Sequence, residues 1–313
     1  MENKTYDLGF RRASGILMPV SSLPSPYGIG NMGKGAYEFI DFLAHTAQRV
    51  WQVLPLNPTS YGDSPYQSPA SAAGNPYFID PETLHAKGLL TKSELKSAKF
   101  KEGTVDYGWL FTTRYDLLRL AYSRFVPDAD YRAFLRREGY WVRDYALFMA
   151  LKVKNSYKSW TEWDEDEKIY SVAKQNSKKH DTECGFWLWV QYEFTSEWSA
   201  LVAYAHSKKI KIVGDMPIYV AHDSLDVWRS PEEFLLDESF APTVVAGCPP
   251  DAYAEDGQLW GNPIYNWERM KENKFLWWCG RVGRAFHLYD ILRIDHFRGF
   301  ASFYSIPYGD ENA

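Results

Sequence analysis

Four short apolar runs constrain this fold more than any other feature of the chain. They are GILMPV at 15–20, VWQVLPL at 50–56, IKIVGDMPIYV at 210–220 and ILRID at 291–295. Each is brief, mostly apolar and bounded by turn formers, the pattern of a strand buried on both faces. Between the first two, GAYEFIDFLAHTAQR (35–49) sets Ala36, Phe39, Ile40, Leu43, Ala44 and Ala47 on one face of a helix. The segment 275–289 does the same with Phe275, Leu276, Val282, Phe286 and Tyr289. Strand, helix and strand in succession imply an α/β fold with a parallel sheet and right-handed crossovers.

The gap between the second and third runs is far longer than one crossover needs. Helical periodicity covers 112–126, 129–138, 140–155 and 185–208, and Val190, Phe194, Trp198, Leu201 and Ala205 form one stripe. The polar stretch 161–181 reads as a solvated helix and loop. The expected organisation is a parallel α/β unit, residues 1–56 and 210–313, interrupted by a mostly helical subdomain, residues 57–209.

Composition narrows the function. The 313 residues carry a net charge of -5 with 24% charged side chains, which gives no reason to expect nucleic acid or anionic lipid as a partner. Cys184, Cys248 and Cys279 are widely spaced and form no CxxC, so neither a disulfide framework nor a zinc site is expected. No metal or other cofactor is expected. MENKTYDLGFRR has no apolar core of a signal peptide, and no run of 18 apolar residues occurs, so the expected location is the cytoplasm, with no membrane partner. Aromatic residues make 17% of the chain. Most belong in a core; the remainder suit a ligand with an apolar face and a rim of hydroxyls, such as a sugar. GIGNMG (28–33) matches a dinucleotide-binding turn. It lies eight residues beyond its strand, past Pro24 and Pro26, and strand two ends without a ribose-binding carboxylate, so nucleotide binding is rejected.

Polar residues gather where the apolar runs end. In LRID, alternation puts Arg293 and Asp295 on one face and Leu292 and Ile294 on the other. Asp215 ends the third run, and NPTSYGDSPYQS (57–68), which contains Tyr61, follows the second. Parallel α/β proteins collect functional groups beyond the carboxyl ends of their strands. Asp295 can be read as half of a structural ion pair with Arg293, or as a carboxylate held ionised for nucleophilic attack. Asp215 can be a local cap, Tyr61 a loop aromatic, and His222 and His296 satisfied structural histidines.

Five segments together resemble the 4-α-glucanotransferases (amylomaltase, disproportionating enzyme) of glycoside hydrolase family 77. They are GILMPVSSLPSPYGIGNMG, VLPLNPTSYGDSPYQSPASAAGNPYFID, IVGDMPIYVAHDSLDVW, AGCPPDAYAEDGQLWGNPIYNW and LRIDHFRGF, spread over residues 15–300. The resemblance implies the (β/α)8 TIM-type barrel of the α-amylase clan, with residues 1–56 and 210–313 as its first half, strands one to four. It implies that Asp295 is the nucleophile, that Arg293 orients it, and that Tyr61, Asp215 and His296 line the donor subsite with Tyr61 as stacking platform. Segment 247–260 resembles the family's flexible loop, with Gln258 and Trp260 near the acceptor. The substrates implied are maltooligosaccharides and other α-1,4-glucans; the oligomeric state is left open. Where amylases have Asn-His after the third strand, this chain has Tyr219-Val220, which favours transfer over hydrolysis. The family's acid/base glutamate belongs to a fifth strand, and no matching segment occurs before Ala313. The chain is therefore expected to be a fragment, inactive alone. A non-catalytic remnant with weak sugar binding, or a hydrolase of the same clan, are the alternatives.

Overall fold

The computed structural model describes residues 12–60, 62–99, 103–252 and 254–313. Seven strands occur among them: β1 (Gly15–Leu17), β2 (Val50–Gln52), β3 (Lys211–Met216), β4 (Val244–Cys248), β5 (Gln258–Pro263), β6 (Ile291–Ile294) and β7 (Tyr304–Pro307). β1, β2, β3 and β6 form one sheet in that order, every neighbouring pair parallel. These are the four apolar runs of the sequence. The strands are shorter than the runs. β3 stops at Met216 because Pro217 has no N–H to continue a ladder.

Helices cover the sheet. Lys34–His45 connects β1 to β2 and buries Ala36, Ile40 and Leu43. Leu276–Phe286 precedes β6. The described residues between 53 and 210 are helices and loops, including Tyr107–Tyr122, Ala129–Arg137, Gly139–Lys154 and Asp181–Ser207. Helix Asp181–Ser207 is buried on nearly every side over residues 186–198; Phe186, Trp187, Trp189, Phe194 and Trp198 are all fully buried, alongside the polar Gln191, Glu193 and Glu197.

The junction between sheet and helices is Trp51 on β2, fully buried. Its ring meets Phe39 at 5.3 Å and Trp198 at 6.5 Å, and its indole N–H donates to the Met18 carbonyl at 2.8 Å. Trp198 in turn donates to the Leu288 carbonyl at 2.9 Å, tying the long helix to the turn before β6.

A second sheet was not anticipated. β4 lies between β5 and β7, antiparallel to both. The stretch 247–260, expected as a flexible loop, is thus framed by strands: residues 249–257 form the excursion, and Gln258 and Trp260 stand on β5. The stretch 161–181 holds two short helices, Glu165–Lys168 and Tyr170–Gln175, with Glu167 and Ala173 buried. No described helix is long and apolar enough to cross a membrane.

Candidate functional site

The site is built at the carboxyl ends of β3 and β6. Asp215 and Arg293 are register partners across the two strands, so their side chains leave the sheet side by side. Arg293 Nη1 donates to Asp215 Oδ1 at 2.6 Å, and Nη2 donates to Asp295 Oδ1 at 2.6 Å. One guanidinium bridges two carboxylates. Ile294, the residue between Arg293 and Asp295, faces the other way, into an apolar groove of about 860 Å³ beside helix Leu276–Phe286. That groove contains none of the bridged charges.

The two carboxylates differ in access. The Asp215 side chain is fully buried, whereas that of Asp295 is 42% exposed. Asp215 also accepts from the Tyr66 hydroxyl at 2.7 Å. Burial and this bond push the Tyr66 phenol well above its ordinary range, so it stays a donor. The hydrogen bond to Asp215 likewise raises the Arg293 guanidinium, which stays charged. The arrangement seals one carboxylate behind a cation and presents the second, held by the same cation, to solvent.

The chain leaves β6 sharply. The Asp295 amide donates to the Met216 carbonyl at 3.0 Å, and His296 then adopts a left-handed conformation with φ 50°. This turn sends the His296 ring against Trp260, edge to face at 4.9 Å between centroids. Trp260 donates its indole N–H to Gln258 Oε1 at 3.0 Å. An amide pair fixes the same strand from behind: Gln67 Nε2 donates to the Trp260 carbonyl at 3.1 Å and to Asn262 Oδ1 at 3.2 Å. Buried Asn262 donates to the Val220 carbonyl at 2.8 Å.

The turn after β3 is held by Arg281, whose Nη1 and Nη2 donate to the carbonyls of Ile218 and Pro217 at 2.8 and 2.5 Å. His222 Nε2 donates to the Phe240 carbonyl at 2.8 Å, and burial lowers the basicity of the ring.

Asp215, Arg293 and Asp295 are therefore joined in one network, and His296, Trp260 and Gln258 form an adjoining wall. Tyr61 lies outside the described residues. Sequence reasoning missed Tyr66, Gln67 and Asn262. The first two sit in the polar run 57–68, where a tyrosine followed by glutamine was available to notice. Asn262, beside Gly261 and Pro263, carried no such signal.

A family model described as 4-alpha-glucanotransferase matches residues 18–313. Curated relatives include the 4-alpha-glucanotransferase of Clostridium butyricum, 48% identical over 95% of this chain and 62% of its own length. That of Thermus thermophilus is 44% identical over 95% of this chain and 60% of its own length. Among solved structures, an amylomaltase from Streptococcus agalactiae in complex with acarbose superposes with a TM-score of 0.91 at 42% identity, over 96% of this chain and 63% of that one. An amylomaltase from Corynebacterium glutamicum, at 18% identity and a TM-score of 0.78, shares the fold over 95% of this chain and 42% of that one. The chain thus spans about three fifths of the length of the curated relatives named here.

Proposed function

The chain belongs to the 4-alpha-glucanotransferase family, glycoside hydrolase family 77, and on that footing we propose that its β3–β6 network serves the transfer of α-1,4-glucan segments by retaining double displacement. We read residues 1–56 and 210–313 as the first four strands and associated helices of a (β/α)8 barrel, with 57–209 inserted after the second strand.

Asp295 is the nucleophile in this reading. Its carboxylate attacks the anomeric carbon; the bond to the leaving glucan breaks, and a carboxylic acid protonates the departing oxygen. The hydroxyl of an acceptor glucan then attacks the glycosyl–Asp ester and gives up its proton to the same group. Arg293 holds Asp295 aimed through the bond from Nη2. Asp215 is not the acid, because it is sealed and engaged by both Arg293 and Tyr66. Its part is to fix the guanidinium. Tyr66 and His296, with Tyr61, line the donor subsite, and Asp215 is sealed behind it; Gln258 and Trp260 line the acceptor side. The relative crystallised with acarbose supports an oligosaccharide as ligand.

The observation that carries this reading is the single guanidinium shared by a buried and an exposed carboxylate. The test is acarbose binding by the 313-residue chain, measured calorimetrically. Asp295→Ala and Arg293→Ala are each expected to weaken it at least about tenfold, and unchanged affinity in both would refute the site. Maltotriose disproportionation is expected to be absent from this chain alone. A ladder of longer maltodextrins abolished by Asp295→Ala would show instead that the chain supplies its own acid.

A further inference from the structure

Arg281 stands on helix Leu276–Phe286, four residues after Trp277 and three after Trp278. That spacing puts the three side chains on one face. The guanidinium lies over both indoles, 5.5 and 5.2 Å from the ring centroids. Arg281 is buried, and its terminal nitrogens donate to the carbonyls of Pro217 and Ile218 and to the Tyr265 hydroxyl, not to a carboxylate among the described residues. A buried guanidinium is costly to desolvate, and here it is set against main-chain oxygens.

Those oxygens belong to the turn that leaves β3. The ladder of β3 stops before Pro217, and three successive carbonyls are taken up by donors from other segments. Met216 accepts from the Asp295 amide at 3.0 Å, Pro217 from Arg281 Nη2, and Ile218 from Arg281 Nη1 at 2.8 Å and from the Tyr265 hydroxyl. The planar fork of a guanidinium can reach two neighbouring carbonyls at once, whereas an ammonium is a single point of charge.

The same turn underlies the site. Besides holding the Asp295 amide, it packs on Gly299, in the turn that follows His296. A Cβ on Gly299 would fall 2.6 Å from Ile218 Cδ1 and 3.3 Å from both His296 Cδ2 and the Tyr219 hydroxyl. Tyr219 stacks on Tyr265 at 5.8 Å and meets Trp260 at 6.3 Å between centroids. Tyr66, the donor to Asp215, lines one narrow space with Pro217, Tyr219 and Arg281. Asp295, the turn after His296 and, through Tyr219, Trp260 all rest on the segment that Arg281 grips.

We propose that Arg281 is a positioning residue for the Asp295 site: it fixes the turn after β3, and through that turn the height of Asp295 and His296. The consequence for sugar binding rests on the function proposed above; the fixing of Asp295 does not.

Amide hydrogen exchange in the ligand-free 313-residue chain reads the positioning directly. Arg281→Met keeps the apolar stem and removes both donors. It is expected to speed exchange at Asp295 and Gly299 about tenfold, while Met18 and Val53, whose amides bond to Gln52 and Val213, keep their wild-type rates. Arg281→Lys keeps one donor and is expected to fall between. Acarbose affinity, measured by calorimetry where the variants are folded, follows the same order: about tenfold weaker in Arg281→Met and partly restored in Arg281→Lys. Leu95→Ala, a buried position on the remote helix Lys92–Ser97, is the structural control, and lowers the melting temperature without changing acarbose affinity. Wild-type exchange at Asp295 in Arg281→Met, or equal acceleration at Met18 and Val53, overturns the proposal. Where Arg281→Met does not fold, Arg281→Lys decides by the same two readings. If acarbose fails to bind wild type, or binds Asp295→Ala equally well, the function proposed for the site falls instead, and the exchange rates still decide the part played by Arg281.

Discussion

Gly214 lies against the ring of Tyr289: a Cβ on Gly214 would fall 2.1 Å from Tyr289 Cδ2. The glycine immediately precedes Asp215 on β3, and Tyr289 is buried in the turn that leads into β6. The absent side chain lets the two strands that carry the shared guanidinium approach without displacing the aromatic between them. Gly214→Ala is expected to cost about 2–3 kcal/mol through overpacking and to weaken acarbose binding as Asp215 shifts. A urea titration checks the first effect; a variant as stable as wild type would show that Tyr289 is free to move.

Removal of Arg293 leaves Asp215 buried with only the Tyr66 hydroxyl as donor among its side-chain partners given above. A fully buried broken pair costs about 3–5 kcal/mol. Because the Arg293 side chain is 46% exposed, solvent screens part of that, and Arg293→Ala is expected to lose about 1–2 kcal/mol. The double variant with Asp215→Asn should recover part of the loss, since no buried charge then remains. Additive losses would count against the pairing.

Asn262→Ala is expected to destabilise the chain by about 1–3 kcal/mol, because it strips partners from the Val220 carbonyl and the Gln67 amide. It should also release Trp260 from its register against His296. Hydrogen exchange over residues 258–263 is the measurement. Faster exchange there, with rates in β3 unchanged, is the expected result; protection equal to wild type would show that the amide pair does not hold the strand.

Glu94 gives a pH signature. Its bidentate bonds from Arg124, with help from the Thr91 amide, hold the carboxyl at about 2, below its usual 4.5. Between those values the unfolded chain binds more protons than the folded one, so stability rises with pH across the window. The contribution is complete above about 4.5 and disappears as pH falls toward 2. The stability gap between wild type and Glu94→Gln should therefore be constant near neutrality and narrow through that window in denaturant titrations. A gap independent of pH would place the effect in the helix cap alone.

The parallel sheet was legible because each of its strands is a local apolar run. The ends were misjudged where proline intervened, as at Pro217, since hydropathy does not register a missing N–H. The β4–β5–β7 sheet was not legible: VVAGC pairs with Tyr304–Pro307, and no local pattern announces a distant partner. The same limit governed the site. Arg293 and Asp295 lie two residues apart and could be placed on one face by alternation alone. Tyr66 could not be linked to Asp215, because only the fold brings its hydroxyl there. Asn262 acts through its amide against residues of two other segments, which leaves no trace in its own neighbourhood.

The excursion of residues 53–210 between two adjoining strands carries a consequence for biosynthesis. Tyr66 and the carboxylate that it supports are separated by 149 positions. At translation rates of about 5–20 residues per second, Tyr66 leaves the ribosome roughly 7–30 s before Asp215. The early segment must wait that long for its partner, and the intervening helices have time to fold first around Trp187 and Trp198. A nascent chain in which helix Asp181–Ser207 has emerged and β3 has not would hold its indole-rich interior, while the Asp215–Arg293–Asp295 site would exist only as unmatched halves.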